Sequence, residues 1–434
     1  MRAPGTLAAD AMDPRELLIG SFRAALAAAD PLQVVPRHLP APPRGRTFVV
    51  GAGKAAAAMA HAVESRWPRE AALDGLVITR YGHGAPTSRI RVVEAGHPVP
   101  DESGEAAARE ILAGARALGG DDLLLVLVSG GGSSLLALPA EGVAMADLKA
   151  VTRQLLASGA PIQDMNTVRK HLSAIQGGRL ALATRACVLA LVISDVTGDD
   201  PTHIASGPCA PDPTTFVDAI EILARFGVPA PRSVAEHLRK GAQGAVPETP
   251  KPGDPAFARV QNRVIASAHA SLAAAAAWLG ERGIEPMVLG DSVTGEAAEV
   301  AKPYAALARQ VRTYREPAAP PAALISGGET TVTLRGKGRG GRCAEFLLSL
   351  AIELDALADT WALACDTDGI DGSEDNAGAI AAPDTLSRAR AAGLRPKAML
   401  ADNDAYGFFS ALGDLVVTGP TRTNVNDFRV ILVR

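Results

Sequence analysis

The sequence predicts an α/β protein of two α/β/α domains, the first with a mostly parallel sheet and the second with a mixed sheet. Short apolar runs, most of them ending in glycine or serine, alternate with stretches of helical apolar spacing, which is the α/β layout. The runs are rich in β-branched residues and leucine, as in strands buried on both faces of a parallel sheet. The length of 434 residues allows two or three domains.

The first domain is expected at 14–242, after a leader (1–12) that we interpret as disordered and that has no signal-peptide pattern. Asp13 and Pro14 predict the start of its first helix. Its predicted strands are Thr47–Val50, Leu76–Thr79, Leu123–Val128 and Val188–Ile193, and its predicted helices are Glu16–Ala29, Ala55–Arg66, Glu105–Ala117 and Thr167–Gln176.

The second domain is expected at 257–434, after a polar, proline-rich segment (243–256) that predicts a linker. Its predicted strands are Arg263–Ser267, Glu285–Leu289, Ala323–Ile325, Thr330–Leu334, Trp361–Ala364 and Val430–Val433, and its predicted helices are His269–Arg282, Thr294–Tyr314 and Ala344–Leu357. The alternation in TTVTL (330–334) predicts an antiparallel or edge strand, which favours a mixed sheet.

The composition excludes several classes of protein. Lys and Arg number 43 and Asp and Glu 47, and this net charge of −4 argues against a nucleic-acid or membrane-surface binder. The chain has no apolar run of about 18 residues, and its four cysteines lack CxxC spacing. Motifs of P-loop enzymes and α/β-hydrolases are missing. We therefore expect a cytoplasmic protein without nucleic-acid or membrane partners.

Many of the 43 glycines cluster where predicted strands end. The loop GAGKAA (51–56) matches G-x-G-x-x-G/A through Gly51 and Gly53, yet the acidic residue expected about 20 positions later is absent. Lys54 inside this loop is natural for a phosphate site, and the alternative interpretation is a tight turn with an exposed lysine. A second loop, SGGGSS, predicts an anion-binding nest, the alternative being a flexible linker. Its residues are Ser129, Gly130, Gly131, Gly132, Ser133 and Ser134.

Acidic residues follow two other predicted strands. Asp195 is placed like the carboxylates that hold Mg²⁺ in many nucleotide enzymes, although Asp199 and Asp200 nearby fit simple capping and solvation. In the second domain, the carboxylates of Asp366, Asp368 and Asp371 are spaced so that they could face a metal, without the pattern of an EF-hand.

A third glycine-rich segment lies in the second domain. Gly328 and Glu329 follow a predicted strand, and four cations among glycines (335–342) precede a predicted helix. The arrangement predicts an anion site, and the alternative of an RGG-type nucleic-acid segment is weakened by its single copy in an acidic chain.

Taken together, the motifs resemble those of the class II glycerate kinases (glycerate 2-kinases), whose second domain is called MOFRL. The resemblance spans nearly the whole chain from about Asp13. The matching segments are GAGKAA (51–56), GHPVPDESG (96–104), LVSGGGSSLLALP (127–139), NTVRKHLSAIQGGRLA (166–181), ISDVTGDDPTHIASGP (193–208), SGGETTVTLRGKGRGGR (326–342), DTDGIDG (366–372) and GPTRTNVNDFRVILV (419–433).

The resemblance implies a Rossmann-like first domain and ATP-dependent phosphorylation of D-glycerate to 2-phosphoglycerate in a cleft between the domains, with a divalent cation that we take to be Mg²⁺. It implies that Lys54 and Arg342 are catalytic. We expect Asp195 to bind metal or accept the hydroxyl proton, with Asp366 and Asp368 as further metal ligands. Nucleotide phosphate is assigned to Gly51, Gly53, the SGGGSS loop, Gly328 and Glu329, and substrate binding to His97, Asn166 and Arg169. A homodimer is left open.

One departure from the family pattern GGRNQE stands beside Arg342, where Cys343 and Ala344 replace the amide pair. The replacement removes two hydrogen-bonding side chains, and we expect altered substrate or nucleotide contacts there. Two rival functions are an NAD(P)H-dependent hydroxypyruvate reductase, suggested by GxGxxA, and a non-catalytic small-molecule sensor.

Overall fold

The computed structural model describes residues 12–434, so the leader interpretation falls almost entirely outside the described residues. The chain forms two compact units. We call Pro31–Ile265 the central unit. The described residues up to Asp30, together with Ala266–Arg434, form what we call the split unit, because the chain enters it twice. Each unit is built on one six-stranded sheet within the described residues, which confirms the predicted α/β class.

The chain begins with helix α1 (Pro14–Ala27) of the split unit, which has Asp13 as its N-cap. The central unit follows, and its elements are α2 (Pro31–Val34), β1 (Thr47–Ala52), α3 (Ala56–Arg66), β2 (Leu73–Arg80), β3 (Ile90–Ala95), α4 (Glu102–Arg116), β4 (Leu123–Val128), α5 (Gly132–Leu135), α6 (Met145–Ala157), α7 (Ile162–His171), α8 (Arg179–Leu182), β5 (Cys187–Ile193), α9 (Phe216–Arg225), α10 (Arg232–Ala242) and β6 (Val260–Ala266).

The rest of the split unit consists of α11 (Ala268–Gly280), β7 (Glu285–Val293), α12 (Ala297–Tyr314), β8 (Ala322–Gly328), α13 (Arg342–Leu354), β9 (Thr360–Asp366), β10 (Gly378–Ala381), α14 (Thr385–Ala391), α15 (Pro396–Ala401), α16 (Ala405–Leu412), β11 (Leu415–Val416) and β12 (Asp427–Val433).

The central sheet has the strand order β3-β2-β1-β4-β5-β6. Strands β1 to β5 pair in parallel, and every residue of β1 and β4 is buried. Continuous burial explains why these strands read as unbroken apolar runs. The chain builds outward in one direction from β1 and in the other from β4, so the point between these two strands is the topological switch point.

The split sheet has the order β11-β10-β9-β12-β8-β7 and is mixed, as predicted. Strand β12 runs antiparallel to both of its neighbours, β9 and β8. Alternate residues of these strands pack into two different apolar clusters, one with α12 and α13 and the other with α1 and α11. Both faces of the sheet are therefore covered, as in the predicted α/β/α arrangement.

Some predicted boundaries differ from the structure. TTVTL (330–334) is not a strand: Thr331 forms an isolated bridge to Glu296, and Leu334 is largely exposed. The prediction was wrong because alternation alone does not supply a neighbouring strand. Strands β3, β10 and β11 were not predicted, since β3 is only partly buried and the other two have four residues or fewer.

The compact units also differ from the expected domains. Helix α1 belongs to the split unit, because its buried residues Leu17, Leu18 and Phe22 pack in the cluster that contains α11 and the β9 and β12 strands. The segment expected as a linker (243–256) lies inside the central unit. Of the helices in residues 12–434, none is by itself long and apolar enough to cross a membrane, while the bent pair Pro14–Ala27 and Pro31–His38 passes on length and composition together.

Candidate active site

Two loops meet at the switch point of the central sheet. β1 and β4 are neighbours with Ala52 opposite Val128, so the loops that follow them leave the sheet side by side. The first carries Lys54, and the second is the glycine–serine loop, Ser129–Ser134. Ligands of open α/β sheets bind at such a point.

Hydrogen bonds join the two loops directly. The Lys54 N–H donates to the Gly130 carbonyl at 2.8 Å, and the Ala55 N–H donates to the hydroxyl of buried Ser129 at 3.0 Å. The Ser129 N–H in turn donates to the carbonyl of Ala52 at 3.2 Å. The position of the Lys54 backbone is therefore fixed by the glycine–serine loop, as expected of a rigid anion site.

Gly131 brings His97 to the same place. Its φ of +81° favours glycine, and a Cβ atom there would lie 2.9 Å from His97 Nε2 and 3.6 Å from Lys54 Cγ. His97 and Lys54 therefore lie against one glycine, and a side chain at this position would clash with His97 and contact Lys54.

A polar network continues from the glycine–serine loop to helix α7. The Ser206 hydroxyl bridges Ser133 Oγ (2.9 Å) and Asn166 Oδ1 (3.2 Å). Arg169 Nη1 donates to the same Asn166 oxygen at 3.3 Å. The structure thus joins Asn166 and Arg169, two predicted substrate-binding residues, to a serine of the predicted phosphate loop. Ser206 was missed by sequence reasoning, although it lies in the motif ending GP (193–208).

Arg169 is a desolvated cation. Burial lowers the pKa of its guanidinium, and its side-chain hydrogen bond goes to the neutral amide of Asn166. In residues 12–434 it forms no ion pair with a carboxylate. A partly buried guanidinium held by a neutral partner is suited to receive a carboxylate or phosphate.

Helix α7 is held by a buried ion pair. Lys170 Nζ lies 2.6 Å from Asp212 Oδ1, and both side chains are fully buried. Burial alone would raise the pKa of the Asp212 carboxyl, but its contacts with Lys170 and Thr214 together outweigh burial and lower the pKa. The pair fixes the helix that carries Asn166 and Arg169.

Asp195 lies at the same edge of the central sheet. β5 pairs with β4 in register, Val192 opposite Val128, and Asp195 follows β5 by two residues. Its side chain is half-buried. Asp195 therefore lies at the sheet edge where the Lys54 loop and the glycine–serine loop begin.

In the split unit, the predicted catalytic residue Arg342 is surrounded by carboxylates. Arg342 is the first residue of α13, and its Nε, Nη1 and Nη2 atoms each donate at 2.8 Å to a different carboxylate. These carboxylates belong to Asp427, Glu329 and Asp366, at the ends of β12, β8 and β9. Because the three strands are neighbours, their ends meet at one edge. Asp427 was missed by sequence reasoning, although it lies in the motif 419–433.

The acids hold Arg342 strongly charged. Burial by itself would lower the pKa of the guanidinium, but Asp427, Asp366 and Glu329 outweigh it and raise the pKa above its ordinary value. The three partners differ in accessibility, since the side chains of Asp427 and Asp366 are 0% and 5% exposed and that of Glu329 is 58% exposed.

Asp371 does not face a metal with Asp366 and Asp368. Its two carboxylate oxygens accept the backbone N–H groups of Cys343 (3.0 Å) and Ala344 (2.8 Å) at the start of α13. Asp371 thus caps the helix that begins with Arg342, and a Cβ at Gly341 would strike it at 2.2 Å. Burial raises the pKa of its carboxyl to about 7, although the two N–H groups act in the opposite direction.

The side chains of Cys343 and Ala344 are fully buried in the apolar cluster between α13 and the split sheet. They therefore do not present hydrogen-bonding positions beside Arg342, because the contacts at this point are made by their backbone N–H groups. The sequence predicts altered ligand contacts at these two positions because they adjoin Arg342. Consecutive residues of a helix point in different directions, and the side chains of Cys343 and Ala344 point into the apolar cluster.

The predicted metal ligands are engaged in hydrogen bonds. Asp366 Oδ2 accepts from Arg342, its Oδ1 accepts the Asp368 N–H at 3.0 Å, and Asp368 Oδ1 accepts the Ile370 N–H at 2.9 Å. Throughout the described chain, no three side chains of His, Cys, Asp or Glu converge into a metal-binding group. Gly328, also predicted at this site, ends β8 directly before Glu329.

The end of β2 bears on the reductase alternative. A dinucleotide site places an acidic residue there to bind the ribose hydroxyl. Here β2 ends in Thr79 and Arg80, and the Thr79 hydroxyl donates to the Gly53 carbonyl at 3.1 Å. Asp74 lies at the opposite end of the strand and pairs with Arg46.

The fold is that of a two-unit α/β protein in which two glycine-rich loops meet at the switch point of a parallel sheet. Residues 17–239 match the family model described as a domain of unknown function (DUF4147), and residues 322–427 match that of the MOFRL family. The chain therefore belongs to the glycerate kinase family that combines these two domains, and the resemblance in the sequence is confirmed.

Three relatives illustrate the match. A glycerate 2-kinase of Pyrococcus horikoshii is 38% identical over 98% of this chain and 98% of its own length. The crystal structure of a glycerate kinase from Thermotoga maritima superposes with a TM-score of 0.86 at 37% identity, covering 99% of this chain and 100% of that one. A protein of Agrobacterium vitis, provisionally named a hydroxypyruvate reductase, is 52% identical over 96% of this chain and 94% of its own length.

Proposed function

We propose that this protein transfers the γ-phosphoryl group of ATP to D-glycerate and forms 2-phosphoglycerate. The observation that carries the proposal is the pairing of the Lys54 loop with the glycine–serine loop at the switch point of the central sheet. Glycerate kinase relatives that match this chain from end to end support the same reaction.

The donor phosphates are assigned to the glycine–serine loop and Lys54. Backbone N–H groups and the helix start at Gly132 supply hydrogen-bond donors without a side chain in the way. Lys54 adds a positive charge beside them. Phosphoryl transfer depends mainly on positioning and charge stabilisation, which such a rigid cradle provides.

The acceptor is assigned to the network on α7. Arg169 would bind the glycerate carboxylate, Asn166 would orient a hydroxyl, and His97 would complete the site next to Gly131. Asp195, at the same sheet edge, is the candidate to accept the proton of the attacking hydroxyl. Transfer to the 2-hydroxyl rather than the 3-hydroxyl rests on the family.

In the alternative role, Asp195 would hold Mg²⁺, because its half-buried carboxylate is a hard oxygen ligand at a strand end. Such a metal is commonly bound by one or two carboxylates together with substrate phosphates. When bound, it neutralises charge on the phosphates during transfer. Asp366 and Asp368 are the second candidates, and ligation by Asp366 would require it to exchange its bond to Arg342.

Arg342 is assigned as the second catalytic cation. Its bond to exposed Glu329 is the contact that a substrate anion can replace, since exposed ion pairs contribute little free energy. Asp427 and Asp366 would then keep the guanidinium oriented while one edge of it binds the anion.

The reductase is the second candidate, favoured by the GxGxxA loop and by the name of the Agrobacterium relative. It is disfavoured by the Thr79–Arg80 end of β2, which lacks the ribose-binding acid. The test is a paired assay of the purified chain: glycerate with ATP and Mg²⁺, and hydroxypyruvate with NADH or NADPH. We expect ADP and 2-phosphoglycerate. Oxidised nicotinamide alone would support the reductase, and neither product would support a non-catalytic sensor.

A further inference from the structure

A pocket opens in the central unit beside the serine end of the glycine–serine loop. Ser133 and Ser134 form one side, helix α6 forms another through Leu148 and Leu156, and the loop at Val99 forms a third. Its empty volume, counted together with the solvent at its open mouth, is about 600 Å³.

Most of the surface of this pocket is apolar, although Lys149, Arg153 and Arg169 also line it, and two of its apolar side chains are exposed. Val99 is 47% exposed and Leu156 is 55% exposed. Exposed apolar groups at the mouth of a concave site are typical of a surface that a ligand covers.

Glycerate alone does not match these walls. Its carboxylate and two hydroxyls would leave most of the apolar surface uncovered and would lose hydration against Leu148 and Leu156. Of the three predicted substrate-binding residues, only Arg169 lines the pocket, and Asn166 and His97 do not. Arg169 therefore marks the boundary between the acid site and this pocket.

A nucleotide held by its phosphates on the glycine–serine loop would extend past Ser133 and Ser134, which line the pocket directly. A purine base is a flat, largely apolar group that suits walls of leucine and valine. The guanidinium of Arg169, desolvated at the inner wall, is suited to stack on such a ring.

We propose that this pocket binds the purine base of the nucleotide donor, between Val99 and the Leu148–Leu156 face of α6. The proposal rests on the proposed function for the identity of the phosphate loop. It assigns a site to the purine base, which the glycine–serine loop does not recognise as a phosphate site.

The test uses Leu156→Asp, with Val99→Asp as a second variant, in the full chain. Both residues are exposed, so the fold should tolerate the changes. Val217→Asp is the matched control, because Val217 is 48% exposed on α9 of the same unit and does not line the pocket. Circular dichroism melting checks that each variant folds.

Two sets of measurements follow for each variant: the KM values for ATP and for glycerate, and calorimetric binding of adenosine and of inorganic tripolyphosphate. We expect Leu156→Asp to raise the KM for ATP at least about tenfold, because an apolar contact is lost. Adenosine binding should weaken similarly, while tripolyphosphate binding and the KM for glycerate stay within about twofold of the wild type.

The outcomes separate this proposal from the proposed function. If the wild type has no kinase activity but adenosine binding is lost in Leu156→Asp, the base pocket stands and the reaction is wrong. If glycerate is phosphorylated but the variants raise the KM for glycerate alone, the pocket binds the acid. Kinase activity with unchanged ATP and adenosine binding in both variants also overturns the proposal.

Discussion

The edge of the central sheet where β1 and β4 end (the central edge) and the edge of the split sheet where Arg342 lies (the split edge) surround their cationic side chains with different partners. At the central edge, the lysine loop and the glycine–serine loop offer backbone donors, and Arg169 has a neutral amide as its hydrogen-bond partner. At the split edge, Arg342 donates to three carboxylates. An anion that approaches Arg169 would meet a guanidinium bonded to a neutral amide, whereas an anion that approaches Arg342 would have to replace a carboxylate.

An arginine in a family motif is therefore not by itself an anion site. What matters is which of its contacts can be exchanged, and here that is the bond to exposed Glu329 rather than those to buried Asp427 or Asp366. Substitutions at one edge at a time test this difference between the two arginines.

The largest effect is expected when a buried carboxylate partner of Arg342 is changed rather than its exposed one. Asp427→Asn should lower the free energy of unfolding by about 3–5 kcal/mol, because it removes one partner of a buried ion pair. Asp427 also binds Arg429, so two cations lose charge compensation. Glu329→Gln, the matched control, should cost about 0–1 kcal/mol, as for an exposed pair. Urea unfolding measures both, and equal losses would contradict the ranking of these contacts.

At the central edge, Lys54→Ala should lower kcat/KM for glycerate phosphorylation by at least about two orders of magnitude, since removal of one transition-state donor commonly costs that much. The free energy of unfolding should change little. Lys240→Ala, an exposed lysine of α10 in the same unit, is the control for loss of surface charge. Near wild-type turnover of Lys54→Ala would remove Lys54 from the catalytic site.

The cap on α13 gives a prediction about pH. Burial raises the pKa of Asp371 from 3.8 to about 7, so the stability that this carboxyl contributes is present below pH 4 and is lost as the pH rises through 7. Asp371→Asn does not titrate and keeps one of the two accepted hydrogen bonds. At pH 5 we expect the variant to be less stable by about 1 kcal/mol.

This deficit should shrink or reverse by pH 8. Unfolding of both proteins by urea at pH 5, 6, 7 and 8 tests the expectation, and parallel curves would show that Asp371 does not titrate in this range. Asp375→Asn, an exposed aspartate that follows the same loop, controls for the loss of an acid.

The smallest effect is expected at the departure from the family pattern. Cys343→Ala should change kcat and both KM values by less than about twofold, because its side chain is in the apolar cluster while its N–H binds Asp371. Stability should fall by about 1 kcal/mol for the lost buried atom. A large change in the KM for glycerate would mean that position 343 faces the ligand after all.

Much of the fold could be predicted because strands buried on both faces and amphipathic helices leave strong patterns. β4 was predicted to the residue and β1, β5 and β9 within two or three residues at each end. Short partners such as β11 and partly exposed β3 leave no such pattern. TTVTL failed because a strand also needs a neighbour, which local sequence does not encode.

The candidate site, like the fold, could be predicted from the sequence only in part. Loops at strand ends can be located from sequence, so Lys54, the glycine–serine loop and Asp195 were predicted next to one sheet edge and are found there. Which partner each side chain chooses depends on tertiary packing. The ion pair of Arg342 with Asp427 and the cap by Asp371 join residues 27 or more positions apart, and no spacing rule gives such pairs.

Helix α1 precedes the central unit in the chain, but it packs with elements that follow the central unit. Its Phe22 ring lies 5.8 Å from that of Phe428, and Gly20 allows Trp278 of α11 to pack directly against the helix. During synthesis, α1 would therefore leave the ribosome with an apolar face whose partners do not yet exist, while the central unit, continuous in sequence, can fold in the meantime. The order of translation and the order of assembly differ in this chain, and a nascent-chain chaperone has a defined segment to shield.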